Sequence, residues 1–320
     1  MSPSSAIADS ALRVVAKEPA AKGVVSLTLT HPHGRRLPDW TPGAHIDLVL
    51  PNGETRQYSL CGDRWDAYRY RLGILREPAG RGGSAYIHNE LAVGDTIGVG
   101  GPRNNFALAP APKYLFIAGG IGITPLIPML AQADLMGLDW QLLYGGRTRS
   151  SMAFLDELAA YGDRVVIAPS DEVGLLDLRT WLTNAEAHET KVYVCGPGAL
   201  LSLVEELCID WPPGKLRTER FVPKQQGAPV RSTAFNVELA RSGLTVTVNP
   251  ETSILDAVRS AGVNVLSSCR EGTCGTCETT VISGTPDHRD SILDDDERTV
   301  DDCMFICVSR SRTDHLVLDL

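Results

Sequence analysis

The stretch that decides the fold lies near the C-terminal end and reads Ser267-Ser268-Cys269-Arg270-Glu271-Gly272-Thr273-Cys274-Gly275-Thr276-Cys277. Its three cysteines follow the spacing C-x4-C-x2-C, and Cys307 comes later with 29 residues in between. This spacing is typical of the four thiolate ligands of a plant-type [2Fe–2S] cluster. The small residues between the cysteines let backbone N–H groups approach the sulfurs, and such hydrogen bonds help to set a cluster's potential. We therefore predict an iron–sulfur domain with ligands Cys269, Cys274, Cys277 and Cys307.

Other uses of these cysteines fit the spacing less well. A zinc site usually takes two separated C-x2-C pairs, and this sequence holds only one. A disulfide framework needs an oxidising compartment, to which nothing in the sequence points. The fourth ligand stays open, because Cys303 lies only four residues before Cys307. We favour Cys307, because residues 304–308 have the pattern of a buried strand whereas Cys303 stands at its polar start.

Composition and charge restrict the classes of protein that the chain can belong to. With 320 residues and a net charge of −9, two or three domains are expected and nucleic acid is disfavoured as a partner. No apolar run has membrane-spanning length, and the first residues lack the features of a signal peptide, so we expect a cytoplasmic protein that does not bind membranes. Residues 227–320 carry 15 Asp and Glu against 8 Arg and no Lys. That excess fits either a solvated face or a surface that steers a basic partner.

Residues 1–108 are predicted to form a small antiparallel β-barrel. Short β-rich runs at 14–16, 24–29 and 45–50 are separated by Gly, Pro and Asn. Arg56, Tyr58 and Ser59 then offer a cation, an aromatic ring and a small polar group, the set that a flavin needs. The Gly-rich segment 80–84 precedes a short helix, predicted at 85–91 with Ser84 as its cap, and such a helix start suits a phosphate. Taken alone, the first segment is more often a strand rim and the second an ordinary turn.

Residues 109–225 are predicted to form a doubly wound domain with a parallel sheet. An apolar strand at 113–118 runs into Gly119-Gly120-Ile121-Gly122-Ile123-Thr124-Pro125, and a helix is expected over 126–136 with Thr124 as N-cap. This succession is typical of a dinucleotide pyrophosphate site. Strands at 140–144, 165–168 and 192–195 alternate with helices at 154–161 and 200–208. Cys195, Gly196 and Pro197 end the last strand, where such sheets bind ligands.

Residues 226–320 are predicted to form the iron–sulfur domain. Segment 222–232 has two prolines and no apolar periodicity, which is typical of a linker. A hairpin of strands at 235–239 and 244–248 and a helix at 254–261 precede the cysteines. The acidic run at 294–297 is predicted to be a solvated turn.

Together these motifs resemble the phthalate dioxygenase reductase family, which includes vanillate O-demethylase reductases. The matching segments are RQYSL at 56–60, GRGGS at 80–84, GGIGITP at 119–125, YGGRTRSSMAF at 144–154, CGPGAL at 195–200, ERF at 219–221 and CVSRS at 307–311. The resemblance covers essentially the whole chain. It implies an FMN-binding barrel, an NAD-binding domain and a C-terminal plant-type ferredoxin domain with the β-grasp fold.

The resemblance also implies a role for individual residues. It assigns FMN and its phosphate to Arg56, Tyr58, Ser59, Gly82, Gly83 and Ser84. It places the NADH pyrophosphate at Gly120, Gly122 and Thr124, and the adenosine near Arg147 and Ser151. It places the nicotinamide near Cys195, Gly196 and Pro197. The catalytic positions that it implies are Ser59, Cys195 and Phe221, of which Phe221 would cover the flavin ring.

The function implied by the resemblance is an NADH-dependent reductase that feeds single electrons to a separate Rieske-type oxygenase in aromatic catabolism. A flavin suits this because it links hydride transfer to one-electron transfer. The sequence has no C-x-H…C-x2-H pattern of a Rieske centre. The rival interpretations are a reductase for a cytochrome P450 or another acceptor, and a redox sensor, which would not need the segment at 119–125. We expect a monomer and NADH in preference to NADPH, although Arg147 and Arg149 could hold a 2′-phosphate that Asp171 would oppose.

Overall fold

The computed structural model describes residues 11–51, 53–78, 80 and 82–320. It divides the chain into two compact units, Met1–Glu219 and Arg220–Leu320. The N-terminal residues used in the signal-peptide argument, and Arg81 of the Gly-rich segment, lie outside the described residues. Among the described residues, no helix has the length and apolar character needed to span a membrane.

The first unit opens with six antiparallel strands: β1 (Ala11–Ala21), β2 (Val24–Thr30), β3 (His45–Val49), β4 (Thr55–Ser59), β5 (Arg69–Leu75) and β6 (Thr96–Arg103). Their order in the sheet is β4-β3-β6-β1-β2-β5. An antiparallel bridge between Leu60, next to β4, and Leu72 of β5 joins the two edges. The sheet therefore closes around a core that includes Leu27, Leu48 and Ile74, which confirms the predicted barrel.

The helix after the Gly-rich segment begins earlier than predicted. Helix α1 (Gly83–Asn89) has Gly82 as its N-cap, at φ 88°. Ser84 lies inside the helix, where its Oγ accepts a hydrogen bond from the Glu77 N–H at 3.0 Å. The prediction that Ser84 caps the helix is therefore wrong. The chain enters the helix through a left-handed residue, a conformation that glycine takes without steric cost.

The rest of the first unit is a parallel sheet with helices. Its elements are β7 (Lys113–Gly119), α2 (Ile127–Leu135), β8 (Asp139–Gly146), α3 (Leu155–Ala159), β9 (Val165–Pro169), α4 (Ser170–Val173), α5 (Leu178–Asn184), β10 (Thr190–Cys195), α6 (Gly198–Leu207) and β11 (Leu216–Glu219). The strand order is β11-β10-β7-β8-β9, and all pairs are parallel. This confirms the doubly wound domain. The order reverses between β7 and β10, so their carboxyl ends form the crevice where such sheets bind ligands.

The turn that follows β7 differs from the prediction. Residues Gly120–Ile123 form a 3-10 turn directly after the strand, and α2 begins at Ile127 with Leu126 as its N-cap. The Thr124 hydroxyl donates back to the Ile121 carbonyl at 3.0 Å. Thr124 is therefore not the N-cap, because the chain already curls helically before it reaches this residue.

The second unit contains β12 (Phe235–Leu239), β13 (Leu244–Val248), α7 (Ile254–Ser260), β14 (Glu278–Ser283), β15 (Pro286–Asp287), α8 (Asp295–Val300), β16 (Cys303–Phe305), β17 (Arg310–Ser311) and β18 (His315–Leu318). The sheet order is β13-β12-β18-β14-β16, with β12 parallel to β18. Apolar residues of α7 are buried against it. This mixed sheet with a packed helix has the predicted ferredoxin-like β-grasp architecture.

Two local predictions in this unit are wrong. The acidic run at 294–297 is not a solvated turn, because Asp294 and Glu297 form a capping box that starts α8. Strand β16 ends at Phe305 instead of extending to residue 308.

Segment 220–232 contains neither helix nor strand and is mostly exposed. It is nevertheless held against the second unit by hydrogen bonds. The Lys224 N–H donates to Ser291 Oγ at 2.8 Å, and the Val230 N–H donates to Asp287 Oδ2 at 3.1 Å. The predicted linker is thus part of the second unit's surface over most of its length.

Candidate functional site

The loop between the first three cysteines coils tightly. Arg270, Gly272 and Gly275 all have left-handed backbone conformations, with φ of 58°, 72° and 75°. This coiling turns backbone N–H groups towards sulfur, so that Glu271 N lies 3.3 Å from Cys269 Sγ and Thr276 N lies 3.4 Å from Cys274 Sγ. The small residues in the loop have the effect expected from the sequence.

Four thiols meet beside this loop. The Cys269 thiol interacts with those of Cys274 and Cys307, and the Cys277 thiol also interacts with that of Cys307. Cys303 has different neighbours: burial, with Glu278 and Asp302 nearby, raises the pKa of its thiol to about 12. The structure therefore brings together the four predicted ligands and leaves Cys303 apart.

Cys307 is the residue that the geometry favours, but it does not lie on a strand as predicted. Cys303 is the first residue of β16, and Cys307 lies in the turn beyond the end of that strand. The turn, and not a rigid strand, carries the Cys307 sulfur to the other three.

These residues fit a [2Fe–2S] cluster. A Cβ on Gly272 would lie 2.6 Å from Val308 Cγ2 and 3.0 Å from Asp290 Cα, so only glycine lets the loop pack this closely. Among the described residues no three His, Cys, Asp or Glu side chains surround one ion position. A two-iron cluster does not need such a group, because its four thiolates are shared between two irons.

The predicted flavin residues lie on β4 and at the start of α1. Tyr58 packs against the barrel core, and burial raises its pKa to about 12. Ser59 is buried at the end of the strand. Arg56 reaches α1, since a Cβ on Gly83 would lie 2.7 Å from Arg56 Cγ. The guanidinium of Arg56 and the N-terminal N–H groups of α1 thus lie together and fit a flavin phosphate. The same guanidinium also forms an ion pair with Glu54, at 2.5 Å from Nη2.

The crevice between β7 and β10 is lined by glycines in backbone contact. A Cβ on Gly122 would lie 2.2 Å from the Cys195 carbonyl oxygen, and one on Gly196 would lie 2.9 Å from Gly119 Cα. A Cβ on Gly119 would meet Pro197 Cδ at 2.6 Å. The structure therefore brings the predicted pyrophosphate loop and the predicted nicotinamide residues together. The close approach leaves room for the backbone alone, as nucleotide cradles require.

The segment after β8 and the short helix α4 after β9 form the rim on this side of the crevice. The Arg147 carbonyl accepts hydrogen bonds from the Asp171 N–H and from Ser170 Oγ, each at 3.2 Å. Ser151 forms a capping box with Thr148. The predicted adenosine residues thus belong to one continuous rim.

Glu172 is a rim residue that the sequence reasoning missed. It accepts two hydrogen bonds from Arg149, at 2.8 Å from Nη2 and 3.1 Å from Nε. No local pattern signalled this, because Arg149 follows β8 whereas Glu172 lies in α4, 23 positions further along the chain.

Glu219 is a second residue that sequence reasoning did not single out. Its carboxyl lies 3.8 Å from the Cys195 sulfur, since the two residues face each other in the parallel register of β10 and β11. Burial raises the pKa of Glu219 to about 8. Burial also raises the pKa of the Cys195 thiol well above its usual range, with Glu219 adding to the effect. Both groups are therefore mostly protonated at neutral pH. Glu219 is the first residue of the ERF segment at 219–221, and that segment is the sequence signal that could have identified it.

Phe221 lies in the second unit and is 43% exposed. Its predicted place over the flavin ring stays a prediction.

Comparison with known proteins agrees with this architecture. The family model of the 2Fe–2S iron–sulfur cluster binding domain matches residues 237–312. Phenoxybenzoate dioxygenase subunit beta of Ectopseudomonas oleovorans is 44% identical over 322 residues and 100% of both chains.

Two solved structures are similar over nearly the whole chain. The structure of phthalate dioxygenase reductase is 37% identical over 97% of both chains, with a TM-score of 0.70. An intact type IV self-sufficient cytochrome P450 monooxygenase is 42% identical with a TM-score of 0.91, but the match spans 97% of this chain and only 41% of that one. The chain belongs to the phthalate dioxygenase reductase family, the reductase components of oxygenase systems that carry a flavin and a [2Fe–2S] cluster and use NAD(H).

Proposed function

We propose that this chain oxidises NADH at FMN and passes the electrons one at a time through its [2Fe–2S] cluster to a separate Rieske-type oxygenase. The observation that carries the proposal is the pairing, within one compact unit, of an anion cradle on the barrel with a glycine-lined crevice on the parallel sheet. Arg56 and Gly83 meet at the first, and Gly122 and Cys195 at the second. Hydride transfer needs both ligands to be bound side by side.

Each cofactor would be held by residues already described. Arg56, with the N–H groups of Gly83 and Ser84, would hold the FMN phosphate, while Tyr58 and Ser59 would line the ring. Residues 120–124 would cradle the pyrophosphate, and Cys195, Gly196 and Pro197 would face the nicotinamide. A bound flavin accepts a hydride and releases electrons singly, which the cluster requires. The four cysteine thiolates would hold that cluster.

The rim favours NADH over NADPH. A 2′-phosphate bound by Arg149 would have to compete with Glu172, which already holds that side chain through two hydrogen bonds. Asp171 adds a second negative charge beside the same loop. An incoming phosphate dianion would have to displace Glu172 and tolerate Asp171.

The proposal extends to the domain boundaries, the place of Phe221, the oligomeric state and the cellular location. We place the FMN domain at 1–108, the NAD domain at 109–225 and the ferredoxin domain at 226–320. The exposed ring of Phe221 would cover the flavin in the absence of nucleotide. The protein would act as a cytoplasmic monomer and would not bind nucleic acid or a membrane surface.

The test is reconstitution. The purified holoprotein should release FMN on denaturation, reduce ferricyanide with NADH, and support turnover by a Rieske-type oxygenase component. A protein that releases FAD, or that oxidises NADH without supporting any such oxygenase, would contradict the proposal.

A cytochrome P450 is the second candidate acceptor. The similarity to the self-sufficient P450 monooxygenase favours it, because 97% of this chain matches part of that structure with a TM-score of 0.91. Parallel assays with a P450 and with the oxygenase, at equal reductase concentration, separate the two acceptors by their rates.

A further inference from the structure

We infer that Gly73 is a positioning residue, which sets the separation between the flavin barrel and the nucleotide loop and so the distance over which the hydride moves. The inference rests on the proposed function. Gly73 lies in the middle of β5, outside every cofactor contact described above. Its proposed role follows from its contacts with Thr124 and Phe154.

Gly73 is in direct contact with the nucleotide-binding domain. A Cβ at this position would lie 2.7 Å from Thr124 Cγ2 and 3.0 Å from Phe154 Cε2. Thr124 closes the turn predicted to hold the pyrophosphate, and its hydroxyl is engaged with Ile121. Its methyl group is therefore the part that meets the barrel.

Neither neighbour is free to move aside. Thr124 is 2% exposed, and its β-branched side chain has few rotamers. Phe154 is 7% exposed and holds a left-handed backbone conformation at φ 64°. A side chain at residue 73 would therefore push whole backbone segments apart.

The two domains are anchored on either side of this contact. Arg71 pairs with both oxygens of Glu157, at 2.6 and 2.8 Å, and its guanidinium carbon lies 5.1 Å from the centre of the Phe154 ring. Leu75 packs into the apolar core of the nucleotide domain. Residues 71, 73 and 75 share the outer face of β5, because Leu72 and Ile74 point into the barrel. The outer face of β5 is thus a docking surface, and Gly73 meets the nucleotide loop on it.

This contact has a consequence for catalysis. Hydride transfer is productive when the reacting atoms are about 3–3.5 Å apart, and a displacement of about 1 Å costs on the order of 100-fold. A Cβ at residue 73 would lie 2.7 Å from the Thr124 methyl carbon, whereas ordinary carbon contact is at about 3.5–4 Å. The nucleotide loop would therefore have to move by about 1 Å relative to the barrel. Gly73→Ala should therefore slow flavin reduction by about 10- to 100-fold. The Kd of NADH should change less than twofold, because the nucleotide's own contacts lie within one domain.

The experiment is anaerobic stopped-flow reduction of the full-length holoprotein by NADH. It gives the limiting rate of flavin reduction, the Kd of NADH, and the long-wavelength charge-transfer absorbance of the flavin–nicotinamide pair. Gly73→Ala should lower the rate and weaken that absorbance while NADH affinity stays near wild type. Gly227→Ala is the matched control, since Gly227 has nothing within 4 Å of its added Cβ. The control should behave as wild type.

A compensating variant tests the contact itself. In the double variant Gly73→Ala/Thr124→Ser, the serine keeps the hydroxyl and removes the methyl group. The double variant should therefore recover much of the rate of flavin reduction. It should also retain its flavin, even if Gly73→Ala alone loses flavin. Wild-type rates in Gly73→Ala, or no recovery in the pair, would overturn the inference and leave the proposed function intact. Failure of NADH to reduce the wild-type flavin would overturn both.

Discussion

Replacing Glu219 by glutamine should stabilise the first unit at high pH and leave it unchanged at low pH. The Glu219 carboxyl titrates near 4.5 in an ordinary environment, and burial raises its pKa to about 8 in the folded protein. Between these values the folded protein holds a proton that the unfolded chain has lost. The free energy of unfolding therefore falls as pH rises from 4.5 to 8, by about 1.4 kcal/mol per pH unit. Below pH 4.5 Glu219 makes its full contribution to the free energy of unfolding. Above pH 8 this free energy falls no further on account of Glu219.

The structure sets the size of the effect. A pKa that moves from 4.5 to about 8 corresponds to at most about 5 kcal/mol. Glutamine has the same shape without the titration. Glu219→Gln should therefore match wild type near pH 4.5 and exceed its stability by up to about 5 kcal/mol above pH 8.

The assay is urea unfolding of the full-length holoprotein between pH 5 and pH 9, followed by the fluorescence of released flavin. Glu186→Gln is the control, because Glu186 pairs with Lys113 and its pKa is lowered by that hydrogen bond. Because the Glu186 carboxyl titrates below this pH range, Glu186→Gln should keep the wild-type pH dependence between pH 5 and pH 9. A stability difference between Glu219→Gln and wild type that is the same at pH 5 and pH 9 would refute the reasoning.

Three further predictions follow from the cluster, the rim and the domain boundary. Cys307→Ser should remove most of the cluster's visible absorbance and reduced-state EPR signal with flavin still bound, whereas Cys303→Ser should keep both; the reverse pattern would reassign the fourth ligand. Glu172→Gln should raise kcat/KM for NADPH about 3- to 10-fold by freeing Arg149, and adding Arg149→Gln should cancel the gain; no gain would contradict the rim argument. A fragment ending at Val222 should keep flavin and reduce ferricyanide with NADH but not cytochrome c, and loss of flavin from it would move the domain boundary.

Features that depend on neighbouring residues could be predicted from the sequence. The hairpin predicted at 235–239 and 244–248 matches β12 and β13 residue for residue, because strand alternation and a short turn are local patterns. The cysteine spacing determined the cluster loop for the same reason: three ligands lie within nine residues of one chain segment. The order of strands and glycine turns was enough to predict the barrel and the doubly wound sheet.

Which residues meet at these sites depends on how distant segments pack together. The contacts of Glu219 with Cys195, of Glu172 with Arg149 and of Gly73 with Thr124 join segments that lie 23 or more positions apart, and no periodicity records such pairs. The helix starts at Ser84 and Thr124 were mispredicted because a cap depends on the direction from which the chain enters the helix. Burial, which raises the pKa of Glu219, is likewise a property of every segment packed around the carboxyl, and the residues next to it in the chain do not reveal it.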